Sequence, residues 1–372
     1  MEFDLICVWR RAAAGERAFG AELVAVTAAA PAQRPDSVTT RRRAEMTSPP
    51  QTAEMSELVR ALVRASEKAA NIARACRQEE SLFGLLIEEK KEGEKNKKFV
   101  TDFKTLADVL VQEVIRHDIG KQFPGLANNI FGEESNEFMN GLGEKIEVRV
   151  CETEQDTSRL GLWVDPIDST LQYIRGLSDC VPQQQIFSQG LQCVTVLIGV
   201  YHLQTGAPVM GVINQPFSLQ DPETLRWTGQ YYWGVSSGLC NVNSIQSPAG
   251  GAKAHPGSAL TASGQQGALH SAVLSTGETE YVYVFSEDTT FRWDCCAAHA
   301  ILRSLGGGVA DLKECLRLRH AGTLEDQPEL AYHRPVGGAT GAERWANQGG
   351  LVAYRSRAHL DAVLELLANI PL

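Results

Sequence analysis

The chain has 372 residues, 43% of them hydrophobic and 22% charged, with a formal net charge of −10. That suits one large or two modest globular domains and argues against a broad basic surface for nucleic acid. The nine cysteines include no C-x-x-C pair, which disfavours a disulfide framework or zinc ribbon and fits a reducing, cytoplasmic compartment, and no apolar run approaches the ~18 residues of a bilayer span.

Residues 1–55 are rich in Ala and Arg, contain Pro31, Pro35, Pro49 and Pro50, and lack a periodic apolar face. A disordered extension is expected there. Glu2, Asp4, Glu16, Glu22, Asp36 and Glu45 speak against a transit peptide, which is poor in acids. Met55 precedes Ser56, a plausible N-cap, and Leu58, Leu62, Ala65, Ala69, Ile72, Ala73 and Cys76 then follow at helical spacing. The charged run 88–98 reads for the most part as a solvated, mobile loop. A second helix is expected over 103–115, with Leu106, Val109, Leu110 and Val114 on one side.

Strand patterns follow at 161–164, 193–201, 208–214 and 230–235. Residues 236–272 are rich in Ser, Gly and Ala and read as a loop. Further on, 281–285 reads as a strand, 297–305 as a helix closed by Gly306-Gly307-Gly308, 309–312 and 350–354 as short strands, and 359–368 as a last helix. Mixed strands and helices imply an α/β or α+β layered fold.

Four acidic sites stand out. Asp102 opens the second helix. Glu133-Glu134 follows the apolar pair Ile130-Phe131. Asp165-Pro166-Ile167-Asp168-Ser169-Thr170 ends the strand at Trp163. Asp294 follows Trp293. In the third site a strand delivers Asp165, Pro166 is expected to stop sheet pairing, and Asp168 turns to face the same space. Ser169 and Thr170 then open a helix or turn whose free N–H groups suit a phosphate. Carboxylates this close repel unless a cation or proton lies between them, and hard oxygen ligands suit Mg²⁺. No His or Cys cluster competes for a softer metal. His299 reads as a packing or capping residue.

The order Asp102, Glu133-Glu134, Asp165-x-x-Asp168-Ser169-Thr170, Trp293-Asp294-x-x-Ala297 resembles that of the lithium-inhibited, magnesium-dependent phosphatases of the inositol monophosphatase superfamily. Residues 66–98, 102–113, 131–138, 192–217, 285–302 and 344–357 are most similar to the branch that acts on inositol polyphosphates. The resemblance implies a layered αβαβα sandwich of the sugar-phosphatase type. It implies one Mg²⁺ held by Glu133, Asp165 and the Ile167 carbonyl, and a second held by Asp165, Asp168 and Asp294. A third, weaker site near Asp102, Glu133 and Glu134 is left open. Asp102 with Thr170 would orient and deprotonate the attacking water, Ser169 and Thr170 would bind phosphate, and Li⁺ would inhibit. The implied reaction is removal of the 1-phosphate from inositol 1,4-bisphosphate or inositol 1,3,4-trisphosphate in phosphatidylinositol signalling, by a monomeric, cytoplasmic enzyme with no nucleic-acid or membrane partner.

The chain departs from that family in two places. Only a short stretch separates Cys151 from Trp163, and 276–280 joins two strand-like segments where relatives carry a helix, a strand, a Gly/Ala-rich loop that contacts the inositol ring, and another helix. Part of the C-terminal layer is therefore expected to be missing. The expected units are 1–55, a domain over 56–275 with most metal ligands, and a truncated α/β domain over 276–372. Two alternatives stay open: a variant that binds metal with impaired turnover, and a 3′-phosphoadenosine nucleotide phosphatase.

Overall fold

A computed structural model describes residues 50–92, 94–96, 99, 101–139, 159–178, 180–181, 189–237, 240–245, 281–322 and 328–367, together with strands at 4–9, 22–26, 145–147, 186–187 and 260–261. The joins at 151–158 and 276–280 lie outside the described residues.

In chain order the strands are β1 (Asp4–Trp9), β2 (Glu22–Val26), β3 (Ile87–Glu89), β4 (Phe103–Thr105), β5 (Ile130–Gly132), β6 (Glu137–Met139), β7 (Lys145–Glu147), β8 (Leu160–Asp168), β9 (Ile186–Phe187), β10 (Thr195–His202), β11 (Pro208–Gln220), β12 (Trp227–Ser237), β13 (Cys240–Asn243), β14 (Leu260–Thr261), β15 (Tyr281–Phe285), β16 (Gly308–Asp311) and β17 (Leu351–Tyr354). The helices are α1 (Pro50–Gln78), α2 (Glu80–Phe83), α3 (Leu106–Gln122), α4 (Thr170–Arg175), α5 (Arg292–Ser304), α6 (Leu312–His320) and α7 (Arg357–Leu367).

Two sheets carry the fold. The first has the order β13-β12-β11-β10-β8-β5, the second β16-β17-β15-β1-β2. Strand alternation sends successive side chains to opposite faces. In the first sheet Leu162, Val164, Val196, Ile198 and Val200 meet Leu58, Leu62, Ala65 and Ala69 of α1 and Val111, Ile115 and Ile119 of α3. Trp163, Leu197, Tyr201 and Ile213 point the other way, onto α5. The far side of α5 meets Tyr283, Phe285, Val309, Leu351 and Ala353 of the second sheet. Val282, Val284, Ala310 and Val352 on that sheet's outer face are covered by Leu312 and Leu316 of α6 and by Leu360, Val363 and Leu364 of α7. The layers are thus αβαβα, as expected from the sequence, and one core passes from β8 through α5 to β17. Aromatic packing anchors it: the Phe291 and Trp293 rings stack at 4.7 Å and Trp163 lies 5.8 Å from Trp293, contacts worth about 0.5–1.5 kcal/mol each beyond burial.

Several expectations are corrected. α1 begins at Pro50 rather than Ser56; proline is tolerated in a helix's first turn, where its missing N–H costs nothing. Within the segment expected to be disordered, β1 pairs in parallel with β15, Leu5 opposite Tyr281, and antiparallel with β2. The edge of β15 offers unpaired backbone groups to any strand-forming segment within reach. β8 continues past Pro166 to Asp168; Asp165 faces Leu197 and Asp168 faces Thr195, with a register shift between them that accommodates the proline. Within the loop expected over 236–272, β12 extends to Ser237, and β13 and β14 form.

The charged run 88–98 is the largest departure. Glu88, Lys90 and Asn96 are buried, and β3 pairs with β4, Ile87 opposite Thr105. Alternation along β3 turns Glu88 and Lys90 inward and leaves Glu89 and Lys91 exposed.

Candidate active site

The acids are brought together by the ends of β5 and β8 and the start of α5. β5 and β8 are parallel neighbours, with Gly132 opposite Val164, so Glu133, just past the end of β5, lies beside Asp165, which is still within β8. The Glu133 N–H donates to the Val164 carbonyl at 3.2 Å. Gln112 on α3 fixes the next residue: the Glu134 N–H donates to Gln112 Oε1 at 3.0 Å, and Gln112 Nε2 donates to the Glu134 carbonyl at 2.6 Å.

Asp165 and Asp168 are 1% and 2% exposed. Thr195 Oγ1 donates to Asp168 Oδ2 at 3.1 Å, and Thr170 Oγ1 donates to the Ile167 carbonyl at 3.0 Å. Ser169 takes a left-handed conformation, φ 68°, which turns the chain sharply from β8 into α4. Asp294 lies in the first turn of α5, where its Oδ2 accepts from the Phe291 N–H at 2.7 Å. Asp294 also shares a hydrogen bond with Asp165. Asp102 is half-buried; its Oδ2 accepts from the Asn96 N–H at 2.9 Å, and its carbonyl accepts from the Lys90 N–H at 2.8 Å.

Electrostatics follow from this crowding. Burial pushes the Asp165 carboxyl well above the usual range, and Glu133, Asp168 and Asp294 add repulsion. Burial does the same to Asp294, with Asp168 and Glu133 adding to it. Asp168 is raised to about 7 by burial, against the opposing Thr195 hydrogen bond. Glu134 is raised to about 8 by burial, partly offset by Lys90. Asp102 is raised by burial, with Lys90 opposing. A cluster of this kind resolves its repulsion with protons or with a cation.

Sequence patterns missed the cation supplied by the chain itself. The Lys90 ammonium contacts Glu133 and stands 2.7 Å from Glu134 Oε1. Burial pulls its pKa down, but Glu133, Glu134 and Asp102 outweigh that and hold it charged. The available signal was the two-residue alternation of β3, masked because all but its first residue are charged. A second buried lysine, Lys104, lies 3.2 Å from Glu94 Oε2 and donates to the Glu137 carbonyl at 2.9 Å, tying the charged segment to the loop after Glu134. Asn347 was also missed. Its Nδ2 donates to the Phe291 carbonyl at 3.0 Å and to Thr290 Oγ1 at 3.1 Å, fixing the entry to α5.

The structure therefore gathers Asp102, Glu133, Glu134, Asp165, Asp168 and Asp294 around one region. It does not join Asp102 to Thr170: α4 packs beside β4, but among the described residues the Thr170 hydroxyl bonds Ile167 instead. Among the described residues no three Asp, Glu, His or Cys side chains form a ready-made metal cage. The donor set nevertheless suits a hard divalent ion, being made of oxygens that are mostly deeply buried. Asp165 Oδ1 is sealed from water and has no hydrogen-bond partner among the described residues. His299 is fully buried with Nδ1 3.0 Å from the Tyr332 hydroxyl, a packing role. Among the described residues no helix is long and apolar enough to cross a membrane.

Comparison with known proteins gives this geometry a context. Residues 54–360 match the inositol monophosphatase family. Inositol polyphosphate 1-phosphatase of Homo sapiens is 50% identical over 395 residues, covering 85% of this chain and 98% of that protein. The Bos taurus protein of the same name is 48% identical over 390 residues, covering 84% and 97%. The 3′(2′),5′-bisphosphate nucleotidase 1 of Rattus norvegicus is 27% identical over 271 residues, covering 63% and 82%. The human alignment runs over 395 positions, whereas 85% of 372 residues is only about 316, so roughly 80 of its positions face gaps in this chain.

Proposed function

The chain belongs to the inositol monophosphatase family, and from that premise we propose that it is a phosphoric monoester hydrolase that removes the 1-phosphate from inositol polyphosphates such as inositol 1,4-bisphosphate and inositol 1,3,4-trisphosphate. The observation that carries this reading is the convergence of Glu133, Asp165, Asp168 and Asp294; burial, with repulsion among the neighbouring carboxylates added to it, raises Asp165, Asp168 and Asp294 above the carboxylate range. The far lower identity to the nucleotidase favours inositol phosphates over nucleotides.

Glu133, Asp165 and the Ile167 carbonyl would hold one Mg²⁺ and Asp165, Asp168 and Asp294 a second; Asp102 with Glu133 and Glu134 would make a third, weaker site, and Li⁺ would compete. Bound Mg²⁺ would polarise the phosphate and neutralise the charge that develops during an in-line displacement. The chain's own residues do the rest. Asp102, aimed by the Asn96 N–H, takes the proton of the attacking water, and the Thr170 hydroxyl would help orient that water on leaving the Ile167 carbonyl. The Thr170 backbone N–H, at the start of α4, would face the phosphate, while the Ser169 N–H is held by the Asp168 carboxylate. Asp165 and Asp294, which share a hydrogen bond, would have to be ionised to hold a cation. Phosphoryl transfer asks for positioning and charge rather than a covalent nucleophile, which matches a site of carboxylates without a catalytic Cys or His.

The positions missing relative to the human protein favour a second reading, retained metal affinity with weakened turnover, because remote binding energy helps to position the reacting group. Phosphate release from inositol 1,4-bisphosphate, beside Mg²⁺ binding by calorimetry, separates the two. Binding and release together support the first; binding alone supports the second.

A further inference from the structure

Asn96 lies in the charged segment between β3 and β4, yet it is only 4% exposed. Its two ends reach different parts of the molecule. The backbone N–H donates to Asp102 Oδ2 at 2.9 Å. The side-chain Nδ2 donates to the carbonyl of Thr289 at 3.2 Å. Thr289 belongs to the segment between β15 and α5, and that segment delivers Asp294.

The same segment is gripped on its other side. The Asn347 N–H donates to the Thr290 carbonyl at 2.8 Å, and Asn347 Nδ2 donates to the Phe291 carbonyl at 3.0 Å. The Phe291 N–H then holds the Asp294 carboxylate at 2.7 Å. Residues 289–291 are therefore fixed by Asn347 from within the C-terminal half and by Asn96 from the N-terminal half.

We infer that Asn96 is a positioning residue that sets Asp102 against Asp294 across the two halves of the fold. The inference rests on the proposed phosphatase reading for its consequence, though not for the contact itself. Asp102 enters from the β4 side and Asp294 from α5. Their spacing depends on how the charged segment lies against residues 289–291. Among the described residues, the Nδ2 bond to Thr289 joins that segment directly to this backbone. The Asn96 backbone bond to Asp102 survives loss of the side chain, so truncation should leave Asp102 held locally while releasing it from the second half. A displacement of about 1 Å away from the reacting geometry can cost about a hundredfold in rate. An amide that merely fills a buried position would lower stability without that selective loss.

The test uses the full chain with Asn96→Ala, which removes the donor, and Asn96→Asp, which keeps the shape but sets carboxylate oxygen against the Thr289 carbonyl. Two readouts are taken: hydrogen exchange of amides 289–294, and kcat and KM for inositol 1,4-bisphosphate with saturating Mg²⁺. The expected result is faster exchange confined to 289–294 in both variants, with kcat reduced about tenfold to a hundredfold and KM within about twofold of the parent. Unchanged exchange overturns the tether. Faster exchange with unchanged kcat, or a kcat loss that tracks only the folded fraction in melting curves, overturns the positioning role. If the parent chain releases no phosphate, the functional reading fails by itself, and the exchange data still decide whether Asn96 ties the two halves. If Asn96→Ala does not fold, Asn96→Asp carries both measurements.

Discussion

The Lys90 ammonium stands 2.7 Å from the Glu134 carboxylate, and both side chains are all but sealed from water, at 2% and 1% exposure. A buried carboxylate held above its normal pKa by burial has here a permanent counter-charge contributed by the chain. At a pH above about 8, where Glu134 is ionised, removing one member of this buried ion pair leaves the other uncompensated, at about 3–5 kcal/mol. Lys90→Met should therefore lower stability by roughly that amount without Mg²⁺, and Mg²⁺ should raise the melting temperature of the variant more than that of the parent. Melting curves with and without Mg²⁺ check this. Equal shifts in the two proteins would show that Lys90 and the metal do not serve the same carboxylates.

The pH dependence of the metal-free protein should run opposite to that of an ordinary acid-labile protein. Glu134 is raised to about 8, and Asp168 and Asp108 to about 7, each chiefly by burial. A carboxyl whose folded pKa lies above its unfolded value binds more protons when folded, so its contribution is complete below the unfolded pKa and is lost as pH rises through the folded one. The window is therefore from about pH 4 to about pH 8. In chelator, the melting temperature should fall from about pH 5.5 to about pH 8.5. Mg²⁺ binding needs the ionised carboxylates, so its stabilising shift should grow over the same range. A flat metal-free profile would contradict the assigned burial.

Asp165→Asn, Asp168→Asn and Asp294→Asn separate function from stability. Each removes an anion from a repelling cluster while nearly keeping its shape. Without metal the Asp165 variant should be as stable as the parent or slightly more so, since the burial and repulsion acting on Asp165 are relieved. All three should bind Mg²⁺ weakly by calorimetry and lose most turnover. Parent-like Mg²⁺ affinity in all three would mean the acids are structural.

Asn347→Ala should act through Asp294 without touching the reacting groups. The change removes the Nδ2 donor that the Phe291 carbonyl, the Thr290 hydroxyl and Cys295 Sγ share, at about 0.5–1.5 kcal/mol for each hydrogen bond lost. Thermal melting should show the loss, and Mg²⁺ affinity should fall as the first turn of α5 loosens. Melting equal to that of the parent would show that this entry is held by other contacts.

Much of this was legible in the sequence, for physical reasons that differ from residue to residue. β8 and its acids could be read because Leu162, Trp163 and Val164 form an apolar run that ends abruptly in Asp165. The helix expected over 103–115 could be read from its apolar spacing, but it starts later than expected: 103–105 is β4, and α3 runs over Leu106–Gln122 behind Thr105, whose N–H donates to the Asp108 carboxylate at 2.7 Å. Lys90, Lys104 and Asn96 could not be read. Their burial depends on partners far along the chain, Thr289 among them, and local composition describes them only as charged or polar. Pro166 misled for a related reason, since a register shift across β10 accommodates it. β1 escaped notice because its strand is defined by the edge of β15, which composition does not reveal.

The most direct measurement of the central claim is steady-state release of inorganic phosphate from inositol 1,4-bisphosphate while Mg²⁺ is titrated from excess chelator to saturation, for the parent chain and for Asp165→Asn. The account predicts no release in chelator, release that rises with Mg²⁺ in the parent and is suppressed by added Li⁺, and almost none at any Mg²⁺ concentration in the variant. Undiminished release in chelator, or equal release by Asp165→Asn, would contradict it.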